Sequence, residues 1–325
     1  MTGCSKEKNI DPISNNAPTD FSNVKVITYN NGLKTGITMF EFPSISVYER
    51  AISILNQQMK TYDSTFFVQY SKWSEEAYDA KQTEVGYNEQ QPLIDAEMSL
   101  SFVNSMRQSY VAIENTWMSN TDLEMATYPK KEYPFSFAEM TLLNSSGEVK
   151  IGNALLKLTK NGYLWITDGS FTTLSSYNNG DMSVLNLTTV QTNLNETSGN
   201  GCSSWVGEDN QHGYASNRKV IKNVHHHAYP WKATESAEIT SYKHHWYGWA
   251  KYAISLGVAC QSYYKDNSCS PSTQMWSGWK REHQKSIEKN NTIWGSYLGL
   301  RAQNNASAYG SFEYAGFANG ECLSW

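Results

Sequence analysis

The chain is short of the features that would carry it through a membrane or onto nucleic acid. No run of 18 or more apolar residues occurs in its 325 residues, so no segment reads as a transmembrane helix, which needs about 20. Positive charge is scarce: 26 Lys and Arg stand against 31 Asp and Glu, and neither half carries the basic stripe of a nucleic-acid binder. Short catalytic signatures are missing too. There is no Gly-Lys-Ser/Thr phosphate loop, no G-x-S-x-G elbow, no dinucleotide-binding glycine fingerprint and no H-E-x-x-H zinc motif, which sets aside the enzyme classes that depend on those local geometries. Cysteine is sparse, five in all, with no C-x-x-C spacing for zinc or dithiol redox chemistry.

Those five cysteines are informative because the number is odd. Cys4 lies in Met1-Thr2-Gly3-Cys4-Ser5: an apolar residue, a small one, glycine, then a cysteine, the form of a lipoprotein processing site whose cysteine receives lipid. Setting Cys4 aside leaves Cys202, Cys260, Cys269 and Cys322. The expected pairs are Cys260–Cys269, across the turn at 265–268, and Cys202–Cys322, joining the first and last segments of one region. Each would stabilise by about 3–5 kcal/mol and would fit an oxidising compartment. Residues 5–20 are polar and aperiodic and contain Pro12 and Pro18, a flexible tether with a reach of roughly 20–24 Å.

Thr2-Gly3-Cys4 and the Ser/Lys/Glu-rich stretch after it resemble outer-membrane and surface lipoproteins of the Bacteroidota. So does the passage Leu142-Leu143-Asn144-Ser145-Ser146-Gly147-Glu148-Val149-Lys150-Ile151-Gly152. The resemblance implies an address, namely the outer membrane by a lipid anchor on its periplasmic or cell-surface side. It brings no activity and no catalytic residues.

Composition divides the rest of the chain. All seven histidines lie beyond residue 200, as do eight of the eleven tryptophans. Residues 201–325 carry a formal charge of +3 and the remainder −8. The expected organisation is a tether at 1–20, an α+β domain at 21–195 and an aromatic- and His-rich β domain at 196–325, the last an antiparallel sandwich or barrel stapled by disulfides. Within the first domain, loose alternation around Asn30-Asn31-Gly32 predicts a strand pair over 21–42. Ser46 followed by Glu49 predicts a capping box and a helix. Helical spacing recurs over 66–81 and 93–117, and strands are expected at 138–143, 149–158 and 163–167. In the second domain the strict alternation of Tyr252, Ile254, Leu256, Val258 and Cys260 predicts a strand buried on one face. Further strands are expected at 219–227, 238–245, 292–301 and 308–317.

Two constellations are candidates for function. Trp246-Tyr247-Gly248-Trp249 and Trp276-Ser277-Gly278-Trp279 repeat a W-x-G-W unit. On a strand the two indoles of each unit would point to opposite faces, one into the core and one to solvent, where an exposed indole stacks on sugar rings or partner surfaces. The second constellation is histidine. His225 and His227 share one face of a strand, and His244 or His245 on a neighbouring strand would complete a three-imidazole set of the kind that holds catalytic zinc. The leading expectation is therefore a non-enzymatic recognition or envelope-assembly component, without cofactor, that binds a polysaccharide or an envelope protein. The alternative is a hydrolase, zinc-dependent or carboxylate-based.

Overall fold

The computed structural model describes residues 21–30, 36–70, 72–102, 104–121, 136–159, 162–192, 207–215, 217–265, 271–294, 301–302, 307–313 and 321–324. The fold is mixed α and β, with several antiparallel sheets and no closed barrel among the described residues.

β1 (Lys25–Tyr29) pairs antiparallel with β2 (Ile37–Phe42). The chain then leaves the sheet for helices α1 (Ile45–Tyr70), α2 (Glu75–Glu84), α3 (Gln91–Ser99), α4 (Met106–Met118) and α5 (Phe137–Thr141). It returns as β3 (Glu148–Ile151), parallel to β2; a parallel neighbour requires a long crossover, which the helices provide. β4 (Ala154–Thr159), β5 (Gly162–Ile166), α6 (Phe171–Asn178), a 3-10 turn at Met182–Asn186 and β6 (Val190–Thr192) complete a sheet ordered β1 to β6. Strand periodicity sorts its side chains onto two buried faces. Phe40, Phe42, Leu156, Leu158 and Tyr163 meet the helical layer. Met39, Leu155, Leu164 and Ile166 form a second core under Leu174 of α6.

Local chemistry moved two expected boundaries. α1 starts at Ile45, with Ser44 Oγ accepting from Val47 N at 3.4 Å and Ser44 O from Tyr48 N at 3.1 Å; Glu49 does not serve as the partner of Ser46. The capping box lies instead at Ser136 and Glu139, where Ser136 Oγ accepts from Glu139 N and the Glu139 carboxylate accepts from Ser136 N, at 3.3 and 3.1 Å. It makes 137–141 helical where a strand was expected. The passage around Asn144-Ser145-Ser146-Gly147-Glu148 is a structural turn. Asn144 Oδ1 accepts from Ser146 N and Glu148 N at 3.0 and 2.9 Å. The fully buried Glu148 carboxylate accepts from Tyr29 Oη, Asn144 Nδ2, Asn178 Nδ2 and Lys157 Nζ at 2.7–3.1 Å. Every neighbour there donates, so the buried carboxylate has its hydrogen-bonding capacity met.

The second half builds two sheets. β7 (Gly207–Ala215), β8 (Arg218–Ala228), β9 (Lys232–His245) and β10 (Gly248–Lys251) pair in sequence. β14 (Ser286–Trp294) continues the β10 edge along the other end of β9. The other sheet is centred on β11 (Ile254–Lys265), flanked by β12 (Pro271–Trp276) and β13 (Lys280–Gln284) on one edge. β15 (Arg301–Ala302) and β16 (Ser307–Glu313) lie on its other edge, with β17 (Glu321–Ser324) outside β16. The two sheets share a core of Val220, Ala237, Ile239, Ile254, Leu256, Val258, Cys260 and Ile287; the alternation noted from Tyr252 enters β11 at Ile254, where Gly257 and Ala259 of the other face are buried as well.

No disulfide is seen among the described residues, and the expected Cys260–Cys269 bridge is not supported. Cys260 is a buried thiol whose Sγ lies 3.8 Å from Glu235 O. β11 runs on for five residues past Cys260, about 16 Å of extended chain. The backbone N–H of Cys260 meets Ser277 Oγ at 2.9 Å, so Ser277 lies opposite Cys260 on that edge of the strand. A bridge requires α-carbons within about 7 Å. Cys4, Cys202 and Cys269 lie outside the described residues, as does the side chain of Cys322.

Candidate functional site

The helical layer is held between two different surfaces, and the second is charged. The turn Tyr229-Pro230-Trp231 between β8 and β9 carries Tyr229 into the core of the first half, where it is fully buried. Next to it Lys232, 4% exposed, places Nζ 3.0 Å from both Glu49 and Glu139. Trp231 Nε1 donates to Glu49 at 2.7 Å and Tyr229 Oη to Glu139 at 3.1 Å. Burial pushes the Glu49 carboxyl up, with Lys232 opposing; burial also disfavours the Lys232 cation, but Glu139 and Glu49 outweigh it and raise its affinity for the proton. Sequence reasoning missed Glu49 and Lys232, because the only signal was a charged residue beside a turn 183 positions away.

A second ionic group lies where α3 and α4 meet β9 and β10. Lys251 Nζ lies 2.9 Å from Glu89 and 3.3 Å from Glu114, and Tyr242 Oη donates to Glu114 at 3.0 Å. Beside it, on α1, Asp63 accepts a hydrogen bond from Tyr87 Oη. Burial raises Asp63 to about 7, aided by Glu89 and Glu282 and opposed by Tyr87 and Lys280. Burial pushes Glu89 up as well, yet Lys251 and Lys285 more than reverse this and hold it below its ordinary value. Lys285 lies over the Tyr87 ring at 5.4 Å and is driven down by burial.

The third arrangement is exposed. At the turn from β9 to β10 Trp246 is 88% and Tyr247 53% accessible. The Tyr247 ring stacks on His245 with centroids 5.0 Å apart and planes 7° apart, and Trp246 meets Tyr247 edge-on at 5.5 Å. Gly248 makes the turn possible: its φ is +124°, and a Cβ there would lie 2.3 Å from Met118 O. Trp249, 3% exposed, anchors the turn against Trp117, Ile221 and Tyr242. This unit thus has one indole in and one out, by virtue of a turn and not of strand alternation. In the other unit both indoles emerge. β12 ends at Trp276, 51% exposed, and the Gly278 turn releases Trp279, 40% exposed, with the Arg281 guanidinium 5.4 Å from its ring centre.

The strand register separates the histidines. His225 and His227 lie opposite Ser236 and Thr234, near the start of β9, whereas His244 and His245 end that strand. Eight to eleven residues of extended chain, about 26–36 Å, separate the two groups, so the backbone register does not bring the expected three-imidazole set together. His244 instead bonds Thr121 O at 2.9 Å and packs on Trp249. The side chains of His225 and His227 lie outside the described residues. Among the described residues no group of three His, Cys, Asp or Glu is placed to hold a metal, and no helix is long and apolar enough to cross a membrane.

No protein-family profile and no curated protein matches the chain. Among solved structures, a DUF4848 family protein from Bacteroides thetaiotaomicron is a distant neighbour. It is 13% identical, and the match covers 92% of this chain and 99% of that one with a TM-score of 0.19. At that score the likeness carries no argument about fold or chemistry.

Proposed function

We propose that this protein is a lipid-anchored recognition component of a bacterial outer membrane that binds carbohydrate through the β9–β10 turn. The observation that carries the reading is the pairing of an indole at 88% exposure with a second exposed ring, on a turn whose next tryptophan, Trp249, is buried. An aromatic of this size normally buries 150–250 Å²; a sugar ring offers the flat apolar C–H face that such a platform covers. The form of the sequence around Cys4 and the polar tether after it support the anchor. In affinity electrophoresis through polysaccharide gels the protein should be retarded, and Trp246→Ala should abolish the retardation without lowering Tm. Lack of retardation by any polysaccharide would sink the reading.

A carboxylate-based hydrolase is the second reading, favoured by Asp63 and Glu89. Two carboxyl groups in one region with proton affinities pushed apart, one to about 7 and one below its ordinary value, suit an acid and a base. Release of reducing ends from a polysaccharide, lost in Asp63→Asn and Glu89→Gln, would establish it. Wild-type protein that binds polysaccharide and releases none would dismiss it.

A further inference from the structure

We infer that the ligand at the β9–β10 turn is an anionic glycan, with carboxylate or sulfate groups on its sugar rings; this rests on the carbohydrate reading above. The chain as a whole is acidic, with a net charge of −5, but the ground beneath Trp246 and Tyr247 is not. Lys243 and His245 are two residues apart on β9 and share a face, and Arg218 of β8 lies opposite Lys243. The Arg218 guanidinium and Lys243 Nζ sit 3.9 and 4.7 Å from the centre of the Tyr252 ring. Lys219, opposite Tyr242, lies on the other face of the sheet, over Trp249 at 5.1 Å, and is not part of this patch. The charged side chains whose fields reach His245 are Lys243, Arg218, His244 and a lone carboxylate, Asp79 of α2; after burial, Lys243 is the largest influence holding the imidazole below its ordinary value.

Lysines elsewhere in the molecule show why this matters. Lys157, Lys232 and Lys251 each have a carboxylate within 3.3 Å. Lys243 has no ion pair among the described residues and rests its cation on an aromatic face instead. With its cation on the Tyr252 face and its field reaching His245, which stacks on the exposed Tyr247, Lys243 offers a positive field next to a stacking surface. The ligand that satisfies both is a sugar ring bearing negative charge: the ring covers Trp246, and the anion approaches Lys243 and His245.

The test compares polygalacturonate with its methyl ester, since esterification removes the charge and keeps the ring. Affinity electrophoresis should show retention by polygalacturonate, weakened at least fivefold by esterification. Raising salt to about 1 M, where the screening length falls to about 3 Å, should weaken it similarly. Lys243→Gln should weaken binding about fivefold, the upper end for a half-exposed charge contact, and Lys243→Arg should restore it, which loss of folding would not allow. Equal retention by both polymers, or no response to salt and Lys243→Gln, overturns the inference and leaves carbohydrate recognition standing. Retention by neither polymer, nor by chondroitin sulfate or dextran, overturns both. Binding to sugar-free vesicles rich in phosphatidylserine that survives Trp246→Ala would also overturn it, marking the patch as lipid-facing.

Discussion

The helical layer has two faces, and they are made differently. Toward the first sheet it offers Tyr48, Leu55, Leu93 and Phe102 to Phe40, Phe42 and Leu156, all within one apolar core. Toward the second sheet it offers Glu49, Glu89, Glu114 and Glu139 to two lysines. The apolar face gains from burial whatever the pH. The charged face gains only while its protons are correctly placed, since each buried charge has given up several kcal/mol of hydration. One layer of helices thus carries one contact indifferent to acidity and one that responds to it.

The largest test of this contrast is Lys232→Met. It strands two carboxylates in a buried site and should cost about 3–5 kcal/mol at neutral pH. The loss measured by urea unfolding should shrink in acid, because burial already disposes Glu49 to hold a proton. Leu156→Ala on the other face should cost about 3 kcal/mol, and that cost should be the same at pH 5 and pH 8, both values being about neutral enough to leave an aliphatic cavity unchanged. A Lys232→Met penalty as flat with pH as that of Leu156→Ala would erase the distinction. Gly248→Ala, which drives a Cβ toward Met118 O at the junction of α4 and β10, should lower stability by about 2 kcal/mol and be visible as a fall in Tm.

Asp63 gives a smaller and more specific signature. Its folded-state value of about 7 exceeds the ordinary 3.8, so the unfolded chain ionises first as pH rises. The stability contribution is full below about pH 4 and is lost as pH climbs through about 7. Asp63→Asn should remove this slope, a difference on the order of 1–2 kcal/mol across the window after allowing for partial exposure. Parallel stability profiles for wild type and variant between those limits would show that Asp63 does not titrate there.

Much of the scaffold was legible in the sequence, because strand alternation and helix spacing are local. β8, β11 and β16 lie close to where periodicity puts them, whereas the turn at Gly248 falls where a continuous strand was expected. What stayed hidden depends on register and distance. The chain shows His225, His227, His244 and His245 as a dense group, yet a long antiparallel hairpin sends its two ends apart. Cys260 reads as half of a short-range bridge, but it is a buried thiol inside β11, which runs on to Lys265. Glu49 reads as a capping residue until Trp231 and Lys232 arrive from the far half. At 137–141 the capping box of Ser136 and Glu139 outweighed the β-prone look of the residues around it, and the strand expected there is a helix.

Tyr229 and Lys232 finish a structure begun some 183 residues earlier at Glu49. A chain emerging in order makes α1 long before it makes the turn that completes its surroundings. Contacts of such sequence separation slow the search for the native state, since a large loop must close before any reward arrives. Until that closure, Glu49 and Glu139 face water, and the first core has a gap the size of a tyrosine. Maturation is therefore governed by its last third: a nascent chain halted before Tyr229 waits with an open seam, exposed to proteases and to whatever holds unfinished chains.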